Sequence, residues 1–369
     1  MNIAILGAGM VGRAMAADLS KKYTVTSFDI SGHALQLAAQ LDPNIKTIKA
    51  DLGDFDSYGV MLSHFDWVIS AVPGFMGYKA LEAIINAKKN VVDISFFPEN
   101  ALELNELAIP NHVTAIVDCG VAPGMSNLIL GYHNERMKID RFECLVGGLP
   151  KIRIKPFEYK APFSPMDVLE EYTRPARFVE NGNIITKPAL TDAELINFEN
   201  AGTLESFNTD GLRSLLFTMP HIPNMKEKTL RYPGHIDLMK NLLSAGFFDE
   251  NPVTFKGMEI SPREFSSALM FDKWKLAPNE PEFTLMHITI EGEGKKIGYE
   301  LYDEFDLVTN MSSMSRTTGY TATAAMNMMI DGLFDEHGVY PPELIGKNEH
   351  CFKYIMEYLR ERNVTYKRS

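Results

Sequence analysis

The sequence predicts an α/β protein, with a doubly wound parallel sheet at its N-terminus and an inserted α+β unit bearing a mixed or antiparallel sheet. Three observations predict it. Short apolar runs alternate with amphipathic stretches up to about residue 120. A glycine-rich turn follows the first run, and the rhythm changes after residue 140.

The alternation begins with NIAILG (2–7) leading into VGRAMAADLSKK (11–22), then TVTSFDI (24–30) into HALQLAAQL (33–41). IKTIKADL (45–52) precedes SYGVMLSHF (57–65), and DWVISAVPG (66–74) precedes YKALEAIINAKK (78–89). NVVDIS (90–95) is followed by PENALELNELAIP (98–110), and VTAIVDCG (113–120) by GMSNLILGYHNERM (124–137). Apolar strands followed by helices are expected to be buried on both faces, with right-handed crossovers.

Beyond residue 140, RFECLVGGLP (141–150) reads as a strand closed by a glycine turn. EFTLMHITIEGEG (282–294) and KKIGYELYDEFDL (295–307) read as a long hairpin around Gly-Glu-Gly. TGYTATAAMNMMIDGLF (318–334) and EHCFKYIMEYLRER (349–362) are helical by pattern. The expected division is a nucleotide-binding domain over 1–125, completed by 315–369, with a substrate-binding and dimerisation domain over 126–314.

A length of 369 residues favours two packed units. A net charge of −12 argues against nucleic acid or an anionic membrane surface as the partner and leaves a small molecule. The three cysteines are scattered, with no C-x-x-C, which fits a reducing compartment. No run approaches a membrane span and residues 1–20 lack a basic leader, so a cytoplasmic protein is expected. None of the nine histidines shows metal-ligand spacing, so no metal is expected.

Gly7-Ala8-Gly9-Met10-Val11-Gly12 is a G-x-G-x-x-G between a strand and a helix, the setting in which that motif binds a dinucleotide pyrophosphate. Asp29 ends the second strand about 20 residues beyond Gly9. A carboxylate there accepts the ribose hydroxyls and repels a 2′-phosphate, favouring NAD over NADP. Asp51 and Leu52 are placed to flank the adenine, and Ala71, Val72 and Pro73 to run beneath the nicotinamide ribose.

Ligands of such sheets collect outside the carboxyl ends of the strands, where Asp93, Asp118 and Cys119 fall. Cys119 reads as a small core residue. The turn after Asp118 opens directly into a helix, whose N-terminus is expected to offer free N–H groups to an anion in the cleft. In the second unit, Arg231 and His235 flank a Tyr-Pro-Gly turn. A guanidinium forks a carboxylate and an imidazole takes a proton, although an internal ion pair and a helix cap suit the same residues. Asn208 and Asp210 lie on a neighbouring turn as substrate-binding candidates.

These blocks resemble the saccharopine dehydrogenase family, and within it L-lysine 6-dehydrogenase-like sequences. The matching text is ILGAGMVG, DCGVAPGMSN (118–127), VGGLP (146–150), EYKAPFSPMDVLEEYT (158–173), GTLESFNTDGLRSL (202–215), TLRYPGH (229–235) and MSRTTGYTATAA (314–325). The resemblance implies a Rossmann domain, an inserted substrate domain, a homodimer, and oxidation or formation of an amino acid's C–N bond with a nicotinamide cofactor. It places Asp93, Asp118 and residues 120–124 beside the nicotinamide and gives Arg231 a substrate carboxylate. His235, Asp93 and Asp118 are the candidate bases, in that order. Asp29 and His235 depart from the fungal glutamate-forming pattern and favour lysine 6-dehydrogenase. Saccharopine dehydrogenase, carboxynorspermidine dehydrogenase and a non-catalytic NAD-binding regulator are the alternatives.

Overall fold

The structure, a computed structural model, describes residues 1–162, 165–277 and 279–369. Phe163 and Ser164, inside the 158–173 block, lie outside the described residues.

Six N-terminal strands form a parallel sheet that a late strand completes. From edge to edge the order is Gly338–Tyr340, Thr114–Ile116, Asn90–Asp93, Trp67–Ser70, Asn2–Leu6, Thr24–Asp29 and Lys46–Lys49. Every pairing is parallel. Ile3 to Leu6 are fully buried because helices cover both faces of the central strands. The expectation of full burial fails at Lys46–Lys49, an edge strand exposed throughout. Its lysines keep that edge polar.

The second sheet is mixed. Its main path runs Glu194–Phe198, Gly202–Asn208, Met225–Arg231, Arg141–Pro150, Glu282–Gly292, Lys295–Glu304 and Tyr366–Arg368. The pair Met225–Arg231 and Arg141–Pro150 is parallel, and the other neighbours on this path are antiparallel. The hairpin around Gly-Glu-Gly forms as expected, turning at Glu293 and Gly294 with φ of 50° and 70°.

The supposed glycine turn at 147–148 is instead the interior of strand Arg141–Pro150. A Cβ on Gly147 would stand 2.8 Å from the Leu230 carbonyl, so the glycine admits a neighbouring backbone rather than a bend.

The stretch 315–369 is divided between the two units. Helix Ser313–Ile330 lies on helix Met10–Leu19 of the first unit. Asp18 binds this return, accepting from Thr323 Oγ1 at 2.8 Å, the Tyr358 hydroxyl at 2.7 Å and Arg362 Nε at 2.9 Å. The last strand, Tyr366–Arg368, crosses to pair with Lys295–Glu304 in the second sheet. One apolar core joins both units, running from Ile3 and Ile5 through Leu128 and Met326 to Phe142 and Ile288. That shared core fixes the cleft between the sheets.

Candidate active site

A cleft of about 1070 Å³ separates the carboxyl ends of the parallel strands from the second sheet. Gly7 to Gly12, Asp29, Asp51, Leu52, Ala71, Val72 and Pro73 all line it. Gly7 holds φ at +107°, and a Cβ on Gly12 would stand 2.0 Å from the Gly7 carbonyl. Those two glycines let strand and helix meet. Gly9 differs, since a Cβ there would meet nothing within 4 Å. Its bare face opens into the cleft.

Helix Met10–Leu19 starts at this turn, and Arg13 N–H is the first amide to close a helical bond, donating to Gly9 at 3.0 Å. Among the described residues the amides of Met10, Val11 and Gly12 have no protein acceptor. Three free N–H groups, a positive helix end and an open glycine face fit a pyrophosphate. Asp29 accepts from Ala8 N–H at 2.7 Å and Ser31 N–H at 2.7 Å. These bonds hold its carboxylate at the strand end, where a ribose diol would lie. The residues present therefore fit a nicotinamide dinucleotide.

The turn at 120–124 behaves otherwise. Gly120, Val121, Ala122 and Pro123 line the cleft. However, the helix Met125–Asn134 does not offer its first amides. Met125 N–H donates to the Gly120 carbonyl at 3.0 Å, and Ser126 N–H to Val121 at 3.3 Å. Two of the three N–H groups expected to face an anion at that helix N-terminus are taken by its own turn.

Asp118 lines the cleft with φ of 52° and pairs with buried Arg213, whose Nε donates at 2.7 Å. Burial raises the Asp118 carboxyl, and Arg213 opposes that rise. Asp93 lies one layer back, outside the cleft lining and wholly buried. It accepts from the Ser95 hydroxyl at 2.9 Å and Ser95 N–H at 3.1 Å, while burial pushes its carboxyl up to about 7.

In the second unit, residues 227, 229 and 231 of strand Met225–Arg231 face the cleft together, as alternation along a strand requires. Arg231 is 2% exposed and lines the cleft, and all but one of its N–H donors are engaged. Nε donates to the Tyr172 hydroxyl at 3.0 Å, Nη1 to the Leu230 carbonyl at 2.9 Å, and Nη2 to Glu171 Oε2 at 2.5 Å. The tyrosine ring of Tyr159 lies 4.3 Å beneath the guanidinium. The internal ion pair that the sequence allowed is present.

His235, the first candidate base, is held behind Arg231 and outside the cleft lining. Nδ1 lies 2.8 Å from the Phe157 carbonyl and Nε2 lies 2.9 Å from the Tyr172 hydroxyl. Burial and then Arg231 push the imidazole down to about 3. It begins helix His235–Ser244 as a buried residue. Asn208 is likewise diverted, donating to Asp192 Oδ2 at 2.9 Å and Thr191 Oγ1 at 3.2 Å. Asp210 does reach the cleft, bound by Arg177 through Nε at 2.9 Å and Nη2 at 2.8 Å.

Sequence reasoning missed Glu171, Tyr159, Tyr172 and Glu227. The first three sit in the matching block 158–173, so their positions were flagged without their roles. Glu227, the third residue of strand Met225–Arg231, has no local signal in the sequence. Among the described residues no group of three or more His, Cys, Asp or Glu is arranged to hold a metal.

Residues 3–116 match the saccharopine dehydrogenase NADP binding domain, and residues 120–364 match the saccharopine dehydrogenase C-terminal domain. The chain is similar to an alpha-aminoadipic semialdehyde synthase of Arabidopsis thaliana, 26% identical over 65% of this chain and 24% of that protein. It thus spans about a quarter of that relative's length. It is also similar to a carboxyaminopropylagmatine dehydrogenase of Synechocystis sp., 22% identical over 92% of each chain. The solved saccharopine dehydrogenase (L-Glu forming) of Saccharomyces cerevisiae shares the fold, with a TM-score of 0.78, 21% identity, and coverage of 100% of this chain and 99% of that one. With both domain matches in order along nearly the whole chain, the protein belongs to the saccharopine dehydrogenase family, whose named members are oxidoreductases acting on C–N bonds.

Proposed function

We propose that this protein is an NAD-dependent dehydrogenase that oxidises the terminal C–N bond of lysine, releasing ammonia and a semialdehyde that cyclises. The observation that supports it most is the wall opposite the nucleotide turn. There buried Arg231 is a cation suited to one carboxylate, in a lining that holds the acids Glu171, Asp210, Glu227 and Asp118 as well as Arg174 and Lys275. An amino acid with one carboxylate and a distal amine matches that balance. Saccharopine, which carries further carboxylates, matches it less well.

Asp29 supports NAD, because its fixed carboxylate would face a 2′-phosphate. When bound, the nicotinamide ring supplies the hydride acceptor. The chain's own residues do the rest. Arg231, steadied by Tyr172 and Tyr159, has an Nη1 N–H left to meet a carboxylate, and more if Glu171 swings aside. Burial of Arg231 and Glu227 strengthens the polar contacts these two side chains make.

A second reading has its own support. The carboxyaminopropylagmatine dehydrogenase matches this chain over 92% of each, and an acidic wall also suits a polycationic amine. Reduction of NAD or NADP, followed by absorbance against lysine, saccharopine, carboxynorspermidine and carboxyaminopropylagmatine, separates the readings. Lysine-dependent NADH and ammonia support the proposal. Turnover of one of the other amines, with none on lysine, rejects it.

A further inference from the structure

We propose that Glu227 is the group that takes the proton from the substrate's amine nitrogen. The inference rests on the reading of the cleft as an amine dehydrogenase site and adds the proton acceptor that reading lacks.

Glu227 is 6% exposed and lines the cleft. Its carboxyl lies over the α-carbon of Gly211, where a Cβ would come 1.7 Å from Oε1, so any other residue at 211 would expel it. Among the described residues no hydrogen-bond donor reaches this carboxyl, and no cation forms an ion pair with it. Every other buried acid of the wall has such a partner. Asp118 has Arg213, Glu171 has Arg231, and Asp210 has Arg177. Structural carboxylates are built with partners, whereas a buried carboxyl left without one has its acceptor capacity available to a ligand.

Position agrees with that role. Glu227 and Arg231 share the cleft face of one strand, roughly 13 Å apart at about 3.3 Å per residue. Glu227 lies over Gly211, two residues before Arg213, the partner of Asp118, and therefore at the end nearer the tips of the parallel strands. A substrate whose carboxylate meets the long Arg231 side chain thus turns its amine towards Glu227. Burial, reinforced by the charges of Glu171 and Asp210, raises this carboxyl to about 8, so that it holds a proton in the resting protein.

The step balances as follows. The substrate nitrogen arrives as an ammonium, and together with Glu227 it brings two protons. One is released to solvent, because an ammonium beside the buried carboxyl favours its ionised form. The remaining proton lies on the Glu227 oxygen when the amine reacts. The freed lone pair forms the C=N bond as the carbon's hydride leaves to NAD, the oxidant of the proposed function. Water then adds to that bond and ammonia departs.

Calorimetry of lysine binding tests the proposal, with NADH present to prevent turnover, at pH 7 in two buffers of different ionisation enthalpy. Wild type should release about one proton per lysine bound. E227Q should bind NADH normally by fluorescence yet release none, and E227D should restore release. Equal release in wild type and E227Q, or none in wild type, overturns the assignment. Infrared titration of the ligand-free protein is independent of any substrate. A carboxyl band titrating near pH 8 should vanish in E227Q, and its persistence overturns the assignment. If no amine reduces NAD, the proposed function falls by that result alone, while the infrared band still decides the state of Glu227.

Discussion

The Tyr172 hydroxyl lies 2.9 Å from His235 Nε2 while receiving a hydrogen bond from Arg231 Nε at 3.0 Å. The order of donors follows. The Phe157 carbonyl can accept only from an Nδ1–H, so Nε2 is the acceptor and the tyrosine proton points to it. Tyr172 then has its lone pairs turned to Arg231. His235 acts through Tyr172 as a positioning residue for the guanidinium.

Tyr172→Phe keeps the ring and removes the hydroxyl from both partners. It should raise KM for the amino acid about tenfold or more, with a smaller fall in kcat, because a charged hydrogen bond is worth about 1.5–3 kcal/mol. Steady-state kinetics on the two parameters checks this. A fall confined to kcat would contradict a positioning role.

His235 also sets an acid limit on stability. Unfolded histidine takes up a proton below its ordinary 6.5, whereas in the fold it resists until about 3. The unfolded chain therefore binds more protons in that window. Stability is fully present above 6.5 and is lost as pH falls towards 3. Denaturant unfolding of His235→Gln should show a shallower acid slope than wild type.

Asp93 works with the opposite sign. Its folded carboxyl sits at about 7 against an ordinary 3.8, so the folded state holds the extra proton between those values. Its contribution is fully present below 3.8 and is lost as pH rises through 7. Asp93→Asn should flatten that fall, leaving the variant more stable than wild type at pH 8 by up to about 4 kcal/mol, at about 1.36 kcal/mol per unit. Chemical denaturation across pH 4–9 measures it.

The two glycines of the nucleotide turn should separate fold from cofactor. Gly12→Ala forces a Cβ to 2.0 Å from the Gly7 carbonyl and should lower Tm. Gly9→Val places its side chain in open cleft, so Tm should hold while NADH affinity falls at least about tenfold, by occlusion of the pyrophosphate path. Thermal melts with fluorescence titration distinguish the two.

Asp29→Ser removes the carboxylate proposed to face the ribose. The proposed preference for NAD over NADP should fall by about ten- to a hundredfold in kcat/KM, on the order of the 1.5–3 kcal/mol carried by a charged hydrogen bond. An unchanged cofactor ratio would show that Asp29 does not face the ribose.

Much of the nucleotide half was legible because its signals are local. A strand, three glycines and a helix start within eleven residues, and an acid ends the next strand, so Gly7, Gly9, Gly12 and Asp29 could be placed from spacing alone. The Gly-Glu-Gly hairpin was legible for the same reason. The substrate wall was not. Whether Arg231 is free or paired depends on Glu171, sixty residues away, and whether His235 faces ligand or core depends on Phe157 and Tyr172.

The sequence by itself determined the doubly wound sheet, the glycine-rich turn, the carboxylate that ends the second strand and the family, since each is written in short-range pattern that backbone sterics and hydrophobic periodicity translate directly. Tertiary structure alone decided which acids and cations of the second unit meet, which helix terminus stays open, and that Glu227 enters the cleft without a partner. The reason is physical: burial and pairing are set by groups that packing brings together from distant segments, and no local spacing encodes them.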